Sequence, residues 1–145
     1  MAESGGIIME KTLVLIKPDG VERGLIGSII SFYERKSLKI VALKMVQADR
    51  KIAEEHYSEH LGRSYFEELI QYITEGRLCA LVVGGEDAVA VVRNVNGNKD
   101  PKVADMGSIR GMYADDKTRN LVHASDSIEH AEREISLWFP ELMNK

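Results

Sequence analysis

Five consecutive residues, Thr12-Leu13-Val14-Leu15-Ile16, are apolar or β-branched with no polar alternation among them. A run this short and uniform reads as a strand buried on both faces, so helices elsewhere in the chain must cover it. Lys17-Pro18-Asp19-Gly20 stops the strand with turn chemistry. Leu25–Lys36 then predicts a helix with Ile26, Ile29, Ile30 and Tyr33 on one face, and Leu38–Val46 alternates as a second strand. Two short helical patterns lie between Arg50 and Gly76, separated near Gly62, the second carrying Phe66, Leu69, Ile70 and Ile73 at core spacing. Leu78–Val83 is a third strand ended by Gly84-Gly85, and Asp87 is placed to cap a helix through Ala90, Val91 and Val92. The stretch Asn94–Arg119 is long and polar, the kind of loop that is usually functional or mobile.

Leu121-Val122-His123 forms the last strand, and a final helix carries Ile128, Ala131, Ile135 and Trp138 on one stripe before stopping ahead of Pro140. Asp126 and Glu129 have capping-box spacing at its start. The order β-α-β, helices, β-α-β is the ferredoxin-like βαββαβ plan. It is an α+β sandwich in which a four-stranded antiparallel sheet is covered by helices.

A chain of 145 residues suits one domain, and residues 10–145 are read as that domain behind a flexible tail of residues 1–9 without signal-peptide character. A net charge of −4 argues against nucleic-acid binding as the main function. The single Cys79 rules out an intramolecular disulfide and, set among apolar residues, reads as a buried thiol, which fits a cytoplasmic location. No apolar run is long enough to span a bilayer.

Chemistry concentrates where His123 sits, at a handover from strand to helix that holds a side chain rigidly yet lets it reach a cleft. Asn120, Ser125 and Glu134 offer it an amide, a hydroxyl and a carboxylate, as a neutral, tautomer-fixed nucleophile requires. Lys17, Arg93, Lys99 and Arg110 are each unremarkable as surface charges, but together they suit a polyphosphate. Tyr57 and Tyr65 bracket the helical excursion and offer flat surfaces for a base. His56, His60 and His130 read as solvated side chains; His56 and His60 are spaced i, i+4 like zinc ligands, but no third ligand accompanies them, so no metal site is assigned.

From Glu10 to about Leu142 the sequence resembles the nucleoside diphosphate kinases. The blocks that carry the resemblance are Lys17-Pro18-Asp19-Gly20-Val21 with Arg23-Gly24-Leu25-Ile26-Gly27, Glu55-His56-Tyr57, and Ile109-Arg110-Gly111. They continue with Asn120-x-x-His123-x-Ser125-Asp126-Ser127 and Glu134-Ile135-x-Leu137-Trp138-Phe139. The resemblance implies a ping-pong transfer in which His123 takes the γ-phosphoryl of a nucleoside triphosphate and gives it to a nucleoside diphosphate. It implies that Ser125 and Glu134 orient the imidazole, and that Lys17, Arg93 and Arg110 hold the phosphates. Asn120 and Lys17 would reach the sugar, Tyr65 with Leu69 would hold the base, and Tyr57 would support the phosphate region. Mg²⁺ would arrive with the nucleotide, and the chain would form a homo-oligomer, a hexamer or a tetramer assembled from dimers. The family's pattern is departed from at Lys99 (usually Thr), Met106 (Pro), Met112 (Asp) and Lys117 (apolar), all within Asn94–Arg119. The rival reading is a regulatory protein that binds nucleotide without turning it over. A single-stranded nucleic-acid binder fits less well, because Leu38–Val46 carries two lysines but no aromatic residue.

Overall fold

The computed structural model describes residues 3–4 and 7–143. Near the N-terminus β1 (Glu3–Ser4) pairs antiparallel with β2 (Ile7–Ile8) in a ribbon separate from the main sheet. The domain then runs β3 (Glu10–Ile16), α1 (Pro18–Glu22), α2 (Ile26–Arg35), β4 (Lys39–Val46), α3 (Arg50–His56), a 3-10 turn (Ser58–His60) and α4 (Phe66–Thr74). It continues with β5 (Leu78–Gly85), α5 (Ala88–Asn96), α6 (Ile109–Tyr113), β6 (Val122–Ala124), α7 (Ile128–Trp138) and a closing 3-10 turn (Pro140–Leu142). The main sheet has the order β4-β5-β3-β6 with every neighbour antiparallel, which is the ferredoxin-like arrangement.

The uniform apolar run behaves as its composition requires. Val14 and Ile16 enter one core with Ile29, Tyr33, Val92 and Ile109, while Leu13 and Leu15 enter the other with Ala53, Ile70, Ile73 and Trp138. Because successive strand residues point to opposite faces, one strand supplies both cores. Each core residue removed from water contributes roughly 1.5–3 kcal/mol, which is why β3 and β5 sit at the centre and the less apolar β4 at an edge.

Five local expectations are corrected. The turn after β3 is a short helix, α1, with Pro18 in its first turn, where a missing N–H costs nothing. Asp87 stands at the start of α5 but has φ 54° and makes no side-chain cap; the carboxylate of Glu10 on β3 accepts from Val89 N at 2.9 Å instead. At α7 the cap is Ser127, which accepts from His130 N, so Asp126 is free for another partner. Ile128 is exposed and lies off the buried stripe of that helix. Finally, Asn94–Arg119 is not one loop: α5 extends to Asn96 and α6 interrupts the remainder.

Thr12 lies on the same face of β3 as Val14 and Ile16, and its Oγ1 is buried with no hydrogen-bond partner. An orphaned buried hydroxyl costs about 1–3 kcal/mol. Thr12→Val, which keeps the shape and removes the hydroxyl, is therefore expected to stabilise the fold by about 1 kcal/mol in chemical denaturation. An unchanged or lower midpoint would refute this.

Candidate active site

Strand β6 is short because the chain enters it through a kink. Leu121 is fully buried yet has φ 80°, a conformation most side chains avoid, and its carbonyl accepts from Lys17 N at 2.8 Å. The end of β3 and the start of β6 are thereby tied together. Pairing of Leu15 with His123 and of Ile16 with Val122 fixes the register, so His123 emerges beside the chain that leaves β3.

Below His123 lies a buried relay. Leu13 N donates to Ser125 Oγ at 3.4 Å, Ser125 Oγ donates to Glu134 Oε1 at 2.8 Å, and the same oxygen stands 2.9 Å from His123 Nε2. Burial alone would raise the Glu134 pKa, but the bonds from His123 and Ser125 outweigh it and hold the carboxyl below its ordinary value. An ionised Glu134 accepts, so His123 carries its proton on Nε2. The Nδ1 lone pair is then free.

Above His123 opens a cleft of about 870 Å³. Lys17, Tyr57, Tyr65, Leu69, Arg93, Lys99, Arg110, Asn120, His123 and Glu134 all line it; of the residues singled out in the sequence, Ser125 alone does not, since it is buried beneath Glu134. The aromatic pair divides. Tyr57 is buried with its ring edge-on to His56, whereas Tyr65 is 41% exposed and is the tyrosine that presents a surface to the cleft.

The cations are held differently. Lys17 is buried, donates to Asn120 Oδ1 at 3.0 Å, and lies 4.9 Å from the centre of the Tyr72 ring. Tyr72 in turn donates to Asp19. Burial first, and then the Arg110 guanidinium, push the Lys17 pKa down to about 7, against the opposing pull of Asp19. Arg110 donates to the carbonyls of Gly97, Asn120 and Val122 at 2.7, 3.2 and 2.5 Å, so it staples the polar segment to β6. Gly97 has φ 87°, and a Cβ there would stand 2.2 Å from Ser108 Oγ, which lets the segment fold this tightly only with glycine. Arg93 and Lys99 are exposed at the cleft.

The other histidines are not simply solvated. His130 sits between Asp126 on Nδ1 and Glu59 at 2.9 Å on Nε2, and these carboxylates, Asp126 foremost, raise its pKa. His60 Nδ1 lies 2.8 Å from the Tyr65 hydroxyl. His56 is 4% exposed and packs against His123. Its burial is masked in the sequence by acidic neighbours, Glu54 and Glu55, which are themselves exposed; Trp138 at the end of the last helix is the available signal. His56, His123 and Glu134 have donor atoms within 4.8 Å of one another. Nδ1 of His56, however, accepts from the Trp138 indole at 3.1 Å, which puts the proton of the neutral ring on Nε2 and leaves no lone pair for a metal ion.

The family profile described as nucleoside diphosphate kinase matches residues 10–143. The chain belongs to the nucleoside diphosphate kinase family. A nucleoside diphosphate kinase of Saccharolobus islandicus (strain L.S.2.15 / Lassen #1) is 56% identical over 92% of this chain and 96% of its own length. One from Listeria monocytogenes serotype 4a is 54% identical over 90% of this chain and 89% of its own length. Among solved structures, the apo nucleoside diphosphate kinase of Encephalitozoon cuniculi superposes with a TM-score of 0.88 at 39% identity, covering 90% of this chain and 88% of that one. Nucleoside diphosphate kinase chemistry is thus the frame for the cleft.

Proposed function

We propose that this nucleoside diphosphate kinase works through a phosphohistidine at Nδ1 of His123. The observation that carries the reading is the Ser125–Glu134–His123 relay, which occupies Nε2 and turns the other nitrogen to a cleft rich in cations. The Nδ1 lone pair attacks the γ-phosphorus of a nucleoside triphosphate. The bond from that phosphorus to the β,γ-bridging oxygen breaks, and its electron pair leaves on the diphosphate. Glu134 stabilises the positive charge that develops on the ring, while Lys17, Arg93 and Arg110 neutralise charge on the phosphate oxygens. A second nucleoside diphosphate then attacks the same phosphorus and the ring is restored.

In this reading Tyr65 with Leu69 would hold the base, Asn120 with Lys17 would reach the sugar, and Lys99 would contact phosphate, since all five line the cleft. Of the lining carboxylates, Glu134 is engaged by His123 and Ser125, and Asp126 and Glu59 share His130; Glu68 stands by itself and makes no cage of oxygens alone. This donor set suits a Mg²⁺ carried on the nucleotide phosphates, where it would offset their charge. No helix among the described residues is long and apolar enough to cross a membrane. The free, buried thiol of Cys79 supports reading the enzyme as cytoplasmic.

Incubation with γ-labelled ATP and Mg²⁺, without acceptor, tests the reading. An acid-labile, alkali-stable label on His123 that GDP discharges is the expected result. Nucleotide binding with no label would favour the regulatory alternative.

A homo-oligomer is supported by β4. It is an edge strand, irregular between Ile40 and Ala42, with Val41 and Leu43 41% and 50% exposed. Lys39, Lys44 and the irregularity guard the hydrogen-bonding edge, so it is the exposed apolar pair on the strand's face that invites burial against another chain. Val41→Lys with Leu43→Glu is expected to reduce the sedimenting mass by at least half; an unchanged mass would place the interface elsewhere.

A further inference from the structure

The Nε2–Glu134 bond fixes one point of the His123 ring, and an imidazole held at one point can still pivot. The second contact comes from α3. His56, at the last position of that helix, lies with its ring centre 4.5 Å from that of His123 and the planes at 77°. His56 is itself immobilised: its Nδ1 accepts from the indole N–H of Trp138 at 3.1 Å, and Trp138 is 1% exposed. Arg133 Nη2 reaches the His56 carbonyl at 3.4 Å, tying the end of α3 to α7, the helix that also carries Glu134 and Trp138.

We propose that His56, anchored by Trp138, is a positioning residue that fixes the plane of the His123 ring and so aims Nδ1 into the cleft. This rests on the reading of His123 as the phosphoryl acceptor. An indole N–H only donates, so the pair has one arrangement, with the His56 proton on Nε2 and its ring turned edge-to-face to His123. Protonation of His56 would break that arrangement, and the site opposes it. Burial dominates; His123 on β6, Arg133 on α7, Lys17 after β3 and His60 in the 3-10 turn add to it, and together they hold the His56 pKa well below the ordinary histidine value although the Glu134 carboxylate on α7 lies within 4.8 Å. The nucleophile is therefore held at two points that approach from different helices, α7 through Glu134 and α3 through His56.

Single substitutions at His56 or Trp138 leave a buried polar atom unpaired and confuse positioning with stability. Paired substitutions avoid this. Trp138→Phe with His56→Leu removes both polar atoms and the ring plane; Trp138→Phe with His56→Phe removes the polar atoms but keeps a ring against His123. Single-turnover phosphorylation at saturating ATP, ATP affinity and thermal midpoint are measured for both pairs below their midpoints. The leucine pair is expected to phosphorylate roughly tenfold to a hundredfold more slowly with ATP affinity within about twofold, since small misplacements of a reacting atom have effects of that order. The phenylalanine pair is expected to recover most of the rate. A folded leucine pair that reacts at the wild-type rate, or a phenylalanine pair no faster than the leucine pair, overturns the proposal. Wild-type protein that takes no label on His123 overturns the underlying reading instead.

Discussion

His123→Ala is expected to lower turnover by about 10⁴- to 10⁶-fold, the range seen when a covalent nucleophile is removed from an otherwise intact site. The structure explains why little residual chemistry should remain. Among the described residues that line the cleft, the other histidines are already engaged: His56 accepts from Trp138 through Nδ1, His130 is held between Asp126 and Glu59, and His60 meets the Tyr65 hydroxyl through Nδ1. Nucleotide affinity should change far less, because Lys17, Arg93, Arg110 and Asn120 do not depend on the imidazole for their positions. Turnover with ATP and a second diphosphate, set beside equilibrium titration of ATP, separates the two. Turnover within tenfold of wild type would refute a covalent route through this residue.

Lys17→Met is expected to act in opposite directions on activity and stability. Activity should fall by roughly 10²- to 10³-fold, the usual cost of losing one preorganised charge at a transition state. Stability near pH 6 should rise. With a folded pKa of about 7 against an ordinary 10.5, the folded site disfavours the proton that the unfolded chain keeps. The penalty is fully present below about pH 7 and is relieved as pH climbs toward 10.5. Across that window wild-type stability should increase by up to about 1.4 kcal/mol per pH unit from this group, and the methionine variant should lack the slope. Loss of the bond to Asn120 and of the contact with Tyr72 works against the gain but has no such pH dependence. Denaturation at pH 6, 8 and 10 checks the sign. A variant less stable than wild type at every pH, with an unchanged slope, would refute it. The same argument predicts that nucleotide binding at pH 8 takes up a proton in the wild type alone.

Much of this arrangement is legible in the sequence because it follows from local rules. Thr12–Ile16 and Leu78–Val83 are too apolar to lie anywhere but the centre of a sheet, and His123, Ser125 and Glu134 sit on either side of a strand-to-helix junction. What escaped depends on contacts between distant segments. Asp87 has the chemistry of a cap, but the backbone turns left-handed there and Glu10, from another strand, takes over the task. Asp126 and Ser127 are both good caps, and His130 decides between them by binding Asp126 through its ring and Ser127 through its amide. His56 looks like a surface residue in its own helix and becomes part of the site only because Trp138, 82 positions later, offers it a donor.

The staple made by Arg110 bears on how such a chain tolerates change over generations. By gripping the carbonyls of Gly97 and Val122 at once, it fixes both ends of the segment that carries Lys99, Met106, Met112 and Lys117. The tip between them projects into solvent, with Val103 64% and Met106 82% exposed. Lengthening a loop whose ends are already pinned costs little, about 0.6 kcal/mol for each doubling. Insertions and substitutions at the tip are therefore absorbed outside the staple, and lineages can diversify there while the geometry around His123 is inherited unaltered.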